Sequence, residues 1–480
     1  MSEKKKKDKV RKVRPELLKG FRDTSPPQQA ARQAMLYTIG ETLERFGFLP
    51  LQTPALERCE VLLGQEEGRD VFQFDGPDET RMALRFDLTV SLARYVAANP
   101  ELPLPFKRYQ FGNVWRIDKP GPGRYREFMQ FDLDIVGSNS ILADAEVMAG
   151  IVSVLQALGI ENYRLSFSSR KILTGLLESS EIDSGKIAGT LRAIDKLHSI
   201  GLAETLKELD KGRVDKSGDK ISGVGLSSSQ IGAIESFLSA ASEQLSSRGE
   251  IEDSLFETVK KTQTGKDGLE EIRGLKEALG HYGIRGSALV FDPTIVRGLG
   301  YYTGPVFETF LTDLPQIGSI FSGGRYDHLV SRFSGKKISG VGASVGVDRL
   351  LTALGQLGEA TPDESICKVL VATMDPELMD SYVDIARELR QAGINTELYV
   401  GDSRSLSKQL RYGDRRGVKL AVIAGSNEIE SGKLTIKNLA VGREKSAALK
   451  NREEWLRAGE IQVEIDRDQL VETILAGLRA

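Results

Sequence analysis

Cysteine is nearly missing from this sequence. Cys59 and Cys367 are the only two among 480 residues. They lie far apart and in no metal-type spacing, which excludes a disulfide framework and the usual zinc site and suits a reducing cytosol. No apolar run reaches about 18 residues, so no membrane span is expected. The basic N-terminus has no apolar stretch behind it, which argues against a secretory signal. Aromatic residues are few, at 7%, beside 40% hydrophobic and 28% charged, the balance of a globular chain. At this length two to four domains are expected rather than one core. The net charge of -3 hides an uneven distribution. Residues 1–16, "MSEKKKKDKVRKVRPE", carry eight Lys/Arg against three acids, and read as a disordered basic tail or a weak arm for nucleic acid.

Behind the tail, Pro26-Pro27 opens a helix in which Leu36, Ile39, Leu43 and Phe46 recur at helical spacing and Gly47 marks the end. "FKRYQFGNVWRIDKPGPGRYREFMQFDLDIVG" reads as two strands joined by a Pro/Gly loop, and a helix is expected at 142–158. From about 170 the texture turns to Lys, Asp, Glu and Ser with helical periodicity. Strands and glycines return at 288–350, as if one sheet were interrupted and resumed. "LGEATPDES" marks a linker. Beyond it, strands and helices alternate over about 100 residues, which predicts a small α/β domain with a parallel or mixed sheet. The expected division is therefore a tail at 1–16, a first core part at 17–169, a mostly helical insertion at 170–285, a second core part at 286–356, a linker at 357–366 and a last domain at 367–480.

Five stretches carry residues suited to chemistry. In "SRSLSKQLRYGDRRGVK", Arg404, Lys408, Arg411 and Arg415 fall in one helical stripe with few acids to balance them, a pattern suited to a polyanion. In the hairpin, Arg116 and Arg124 flank the turn. Gln130 and Asp134, four apart on a strand, face one side; they suit either a small polar ligand or a salt-bridged surface. Asp87, in "LRFDLT", sits in apolar surroundings and needs a cation, supplied by an internal salt bridge or by a ligand's ammonium. "GVGASVGVDRLLTALG" runs a glycine-rich strand into a helix carrying Arg349, without the Lys-Ser/Thr of a P-loop or the spacing of a dinucleotide fingerprint. In "IVRGLGYYTGPVFE", glycines beside Arg297, Tyr301 and Tyr302 give something room to approach donors and aromatic faces closely.

Taken in order, these segments resemble the histidyl-tRNA synthetase family of class II aminoacyl-tRNA synthetases, over residues of about 16 to 445. "GFLPLQTPALE", "FGNVWRIDKPGPGRYREF" and "GVGASVGVDRLL" are similar to the three class motifs, each degenerate alone. "RGLGYYTGPVFE" with "GGRYDHLV" is the specific pair. The resemblance implies an antiparallel-sheet catalytic core with a helical insertion and a C-terminal α/β anticodon-binding domain. It implies a cytoplasmic homodimer with no membrane association, which takes ATP with Mg²⁺, L-histidine and tRNA(His). It places Arg297 and Arg116 at the α-phosphate, Arg124 and Arg349 on ATP, and no protein-held metal. Asp87, Thr89 and Gln130 would meet the substrate ammonium. Asp134 would accept from the imidazole and Tyr302 donate to it, with Tyr301 and Tyr326 completing the wall. The stripe from Arg404 to Arg415 would meet the anticodon. Three departures from the family pattern stand out: Gly300 where an aspartate is usual, a short hairpin turn facing the acceptor stem, and aspartates at 87 and 134 where other branches use glutamate. A non-catalytic paralogue, the regulatory subunit of ATP phosphoribosyltransferase, shares this core but lacks the anticodon domain and erodes the Arg–Tyr–Tyr signature.

Overall fold

A computed structural model of the chain describes residues 13–64, 71–117, 119–120, 125–215, 218–246, 253–296, 301–358, 365–440 and 462–479. Arg297, Gly300, Arg124, residues 1–12 of the basic tail and 359–364 of the linker lie outside the described residues. The chain forms two compact units, Met1–Asp23 with Ala34–Glu359, and Thr24–Gln33 with Ala360–Ala480.

The first unit is organised by an eight-stranded sheet. Across it the strands run Leu49–Pro50, Phe106–Trp115, Glu127–Val136, Gly340–Gly346, Ser319–Tyr326, Pro305–Leu311, Tyr163–Ser169 and Leu289–Phe291. Only the two outermost pairings are parallel; the five between are antiparallel. The interrupted texture of the sequence is this topology. The 127–136 strand pairs with 340–346, and the segment between them in sequence returns to the same sheet.

The 127–136 strand, "EFMQFDLDIV", shows why the sheet has a working face. Phe131, Leu133 and Ile135 are buried in apolar core, Phe131 stacking on Tyr109 and Phe111. The helix Ile141–Ala157, one residue earlier at each end than expected, packs behind, with Gly150 against Leu133 and Leu43. With period 2, the residues between them, Gln130, Asp132 and Asp134, point the other way, and all three are buried too. A strand buried on both faces with polar side chains along one of them is costly unless those groups have partners.

Between Arg170 and His281 the described chain is mostly helical, including Arg170–Ser179, Ser184–Ile194, Leu202–Leu209, Ser228–Ser246 and Gln263–His281. It also holds a small hairpin, Gly212–Val214 with Lys220–Ser222, which periodicity did not suggest. The second unit holds a five-stranded sheet ordered Thr396–Leu398, Val369–Val371, Leu420–Ile423, Lys433–Asn438 and Gln462–Asp466. Its first three strands are parallel and its last two antiparallel, so the sheet is mixed. Tyr382, Ile385, Leu389, Leu420, Val422, Leu470 and Ile474 form its core.

Candidate active site

Polar residues of the sheet's working face line a cleft of about 460 Å³. Of the residues singled out from sequence, Asp87, Thr89, Arg116, Gln130, Asp134, Tyr301, Tyr302, Tyr326 and Arg349 all border it. They come from five places in the chain, and the sheet register brings them together.

Two glycines make this possible. A Cβ on Gly342 would stand 1.9 Å from Asp134 Oδ1, and one on Gly340 would stand 2.4 Å from the Tyr326 ring. Gly342 pairs with Asp134, and Gly340 with Tyr326, on the strands either side. The glycines of "GVGASVG" therefore leave room for side chains folded across the strand.

The inner end of the cleft is acidic and phenolic. Asp134 Oδ1 accepts from the Tyr326 hydroxyl at 2.8 Å, and its Oδ2 lies 2.6 Å from Arg108 Nη2. Arg108 is fully buried, and its Nη2 lies 4.0 Å from Asp132 Oδ2. Burial pushes the Asp132 carboxyl up to about 7, against the pull of the Arg108 guanidinium. Burial raises Asp134 likewise, again opposed by Arg108. Burial also drives the Tyr301 and Tyr326 phenols well above their ordinary value, with nearby carboxylates adding to it, so both stay hydroxyl donors at neutral pH. Asp87 sits at the entry to the helix Thr89–Ala98, where its Oδ1 accepts from the Val90 N–H at 3.1 Å.

The outer end is cationic. Arg116 Nε donates to the Phe86 carbonyl at 3.1 Å and its guanidinium lies over the Phe128 ring at 5.2 Å. Arg349, in the first turn of the helix Val347–Leu357, donates from Nη1 to the Ser319 carbonyl at 2.6 Å. Its neighbour Asp348 accepts from Arg22 at 2.7 Å and from the Met129 N–H at 3.2 Å. Arg22 also lies over the Tyr125 ring, 4.1 Å from its centroid. Guanidinium donors and carboxylates on the wall of one cleft suit a ligand that carries both an anionic and a cationic group.

Several residues escaped the sequence reading. Asp132 alternates with apolar residues and Arg108 follows another cation, Lys107, as on any surface hairpin, and only the cover over that face reveals them. The available signal was the run Gln130, Asp132, Asp134 on one side of one strand. Arg22 and Asp348 are 326 residues apart and no local pattern joins them. Asp195, just past the helix Ser184–Ile194, brings the inserted segment to the cleft wall. Nearby, His198 Nε2 lies 3.2 Å from the Thr294 hydroxyl, which itself donates to Asp292 at 2.6 Å.

In the second unit, Lys408, Arg411 and Arg415 are exposed on the helix Leu406–Arg415. Arg404 is exposed too, but it precedes the helix, so the helical stripe has three members rather than four. Gln409, at the centre of the other face, is fully buried and holds Thr373 through bonds to both its N–H and carbonyl.

The model of the histidyl-tRNA synthetase family matches residues 20–350, and an anticodon binding domain model matches 368–476. The chain is 39% identical to the histidine–tRNA ligase of Cereibacter sphaeroides, covering 98% of this chain and 99% of that one. It is 40% identical to that of Paracoccus denitrificans, covering 97% and 98%. The crystal structure of histidyl-tRNA synthetase from Nostoc sp. PCC 7120 superimposes with a TM-score of 0.76 at 31% identity, covering 97% of this chain and all of that one. The chain belongs to the histidyl-tRNA synthetase family.

Proposed function

We propose that the cleft performs the histidine–tRNA ligase reaction with its two ends in separate roles. The enzyme is a class II aminoacyl-tRNA synthetase. It joins histidine to ATP as histidyl-adenylate, releasing pyrophosphate, and then passes the histidyl group to the terminal adenosine of tRNA(His). In the first step the substrate carboxylate attacks the α-phosphorus of ATP. An anion approaches a polyanion, so positioning and preset positive charge carry the catalysis.

Arg116 has its Nε occupied by Phe86 and its face against Phe128, which leaves the fork aimed at the cleft for the α-phosphate. Arg349 takes the far phosphates or the adenine. Arg297 and Arg124 complete the cationic end by resemblance to the family. Among the described residues no three His, Cys, Asp or Glu side chains are grouped to hold a metal ion. Magnesium would come with ATP, where it would neutralise phosphate charge. At the other end Asp87, Thr89 and Gln130 receive the ammonium, and Tyr302 donates to one imidazole nitrogen. Asp134 accepts from the opposite N–H, with Tyr301 and Tyr326 completing the wall. A pocket satisfying both ring nitrogens rejects isosteres that lack them by a factor on the order of 10⁴.

The reading extends to a homodimer. Leu49, Leu56 and Phe111 on and beside the sheet edge are 58%, 41% and 43% exposed, apolar area that a second copy would cover. Lys408, Arg411 and Arg415, with Arg404 beside them, face the tRNA anticodon. The cytoplasm, where tRNA is charged, is the compartment that fits.

The observation that carries the assignment is a single cleft lined by Asp87, Thr89, Gln130 and Asp134, by the phenols of Tyr301, Tyr302 and Tyr326, and by the guanidiniums of Arg116 and Arg349. ATP–pyrophosphate exchange with each of the twenty amino acids tests it. Exchange with histidine alone, lowered by orders of magnitude in Arg116→Ala, is expected. Folded protein that binds ATP and exchanges with none of them would sink the reading.

A further inference from the structure

Residues 18–23, near the start of the described chain, lie against the hairpin whose second strand helps to wall the cleft. Gly20 stands at a φ of +88°, and a Cβ on it would come within 2.9 Å of the Arg126 and Pro120 side chains. The glycine lets this segment lie flat on the hairpin. The Gly20 carbonyl accepts from the Arg126 N–H at 2.8 Å, and the Arg126 carbonyl accepts in turn from the Arg116 N–H at 2.9 Å. Phe21 meets the Phe72 ring edge-on, with 6.2 Å between centroids. Backbone and ring therefore fix the chain just ahead of Arg22.

Arg22 reaches two different elements from there. Its Nη1 donates to the Tyr125 hydroxyl at 3.1 Å, with the guanidinium over that ring, and its Nη2 donates to Asp348 Oδ1 at 2.7 Å. Asp348 Oδ2 accepts from the Met129 N–H at 3.2 Å. Tyr125, Met129, Asp348 and Arg349 border the cleft, and Arg22 stands behind them. One guanidinium thus ties the 18–23 segment to the hairpin and to the first turn of the helix Val347–Leu357, beside Arg349.

Asp348 is well placed for its helix, because an acid in the first turn suits the helix dipole. It is badly placed for a polyanionic ligand, one residue from a guanidinium that would bind it. With side chains 36% and 14% exposed, the Arg22–Asp348 pair is only partly buried and adds little to stability. Its larger effect is on the field inside the cleft. Resting on the histidine–tRNA ligase reading above, we propose that Arg22 is a positioning residue for ATP, which balances the Asp348 carboxylate beside the triphosphate and holds Tyr125 on the cleft wall. The guanidinium fork suits this task, since a lysine is a single point charge and serves the carboxylate without spanning to the phenol.

The test is steady-state ATP–pyrophosphate exchange on the full chain, with thermal melting alongside. In Arg22→Ala the KM for ATP is expected to rise about tenfold, with the KM for histidine held within a factor of about two. The melting temperature should fall by no more than about 3 °C. Arg22→Lys should lie between the native protein and the alanine variant. Adding Asp348→Asn to Arg22→Ala should return the KM for ATP to within about threefold of native, because the amide oxygen still accepts from Met129 but carries no charge to balance. A folded Arg22→Ala protein with the native KM for ATP would overturn the proposal. Equal rises for ATP and histidine, or loss of folding, would overturn it too by making the contact a structural one. So would a double variant as impaired as Arg22→Ala alone. Native protein that exchanges with no amino acid would instead remove the functional reading beneath it.

Discussion

Gly342 carries as much of the site as any charged residue. It has no side chain, yet an added methyl would overlap Asp134 Oδ1. Gly342→Ala should therefore displace Asp134 and the Arg108 and Tyr326 bonds it holds. We expect the KM for histidine to rise at least tenfold while the KM for ATP stays within a factor of two or so, since a buried polar pair is broken at one end only; steady-state exchange kinetics read both. Asp132 makes a second prediction, about stability. Its folded value near 7 stands above the ordinary 3.8. A raised carboxyl contributes its full stability at low pH and loses it as pH climbs through the folded value, because the native state binds the extra proton. Without ligand, Asp132→Asn should thus be more stable than the native protein at pH 8, by at most about 4 kcal/mol, with a smaller gap at pH 5. Equal gaps at the two pH values, by thermal melting, would show that Asp132 is not the group that titrates. At this scale the sequence was legible in part. Asp87, Asp134, Arg116, Arg349, Tyr301 and Tyr302 could be singled out from their residue types and setting, whereas Tyr326 and Thr89 came only with the family resemblance. Arg108 could not be singled out, because "FKRYQFG" looks the same whether its arginine meets water or a buried carboxylate.

Among the elements, the strand Ser319–Tyr326 and the helix Ile141–Ala157 are joined by one ion pair inside the protein. Arg325 Nε donates to Asp144 at 3.1 Å, and its terminal nitrogens reach the Ser138 and Ser140 carbonyls at 2.8 and 3.0 Å. Both side chains are buried. Asp144→Ala would strand the guanidinium, and a loss of about 3–5 kcal/mol is expected from the midpoint of denaturant unfolding. The basic helix Leu406–Arg415 answers to a different assay. Changing Lys408, Arg411 and Arg415 together to alanine should leave pyrophosphate exchange unchanged and raise the KM for tRNA in aminoacylation. The salt slope should fall by roughly 0.7–0.9 for each phosphate that the variant no longer neutralises. An unaltered tRNA KM would place the anticodon elsewhere. Strand and helix positions were readable from period and glycine placement, and the alternation after residue 367 left a parallel or a mixed sheet open, of which the structure has the mixed one. The small hairpin within the insertion was not, because its three-residue strands are too short to show a period. Nor could the helical stripe be trimmed to three members before the helix start at Leu406 was known.

At the scale of the whole molecule, light scattering should give twice the chain mass, and Leu49→Glu with Leu56→Glu should give the chain mass itself. A monomeric native protein would leave those exposed leucines without the proposed cover. The central sheet carries a further consequence for how the protein is made. Its middle seam joins the 127–136 strand to the 340–346 strand, so about 200 residues must leave the ribosome between the two halves. At elongation rates of roughly 5–20 residues per second that is a wait of about 10–40 s. Throughout it, the 127–136 strand has its carboxylates made and its partner unborn, an open edge to which a neighbouring nascent chain could add. The acids that later border the cleft would then serve as gatekeepers, since two like charges along an unpaired strand repel a second copy of it. The negative charge of the cleft is in that sense older than the cleft, protecting the strand before there is a pocket for it to line.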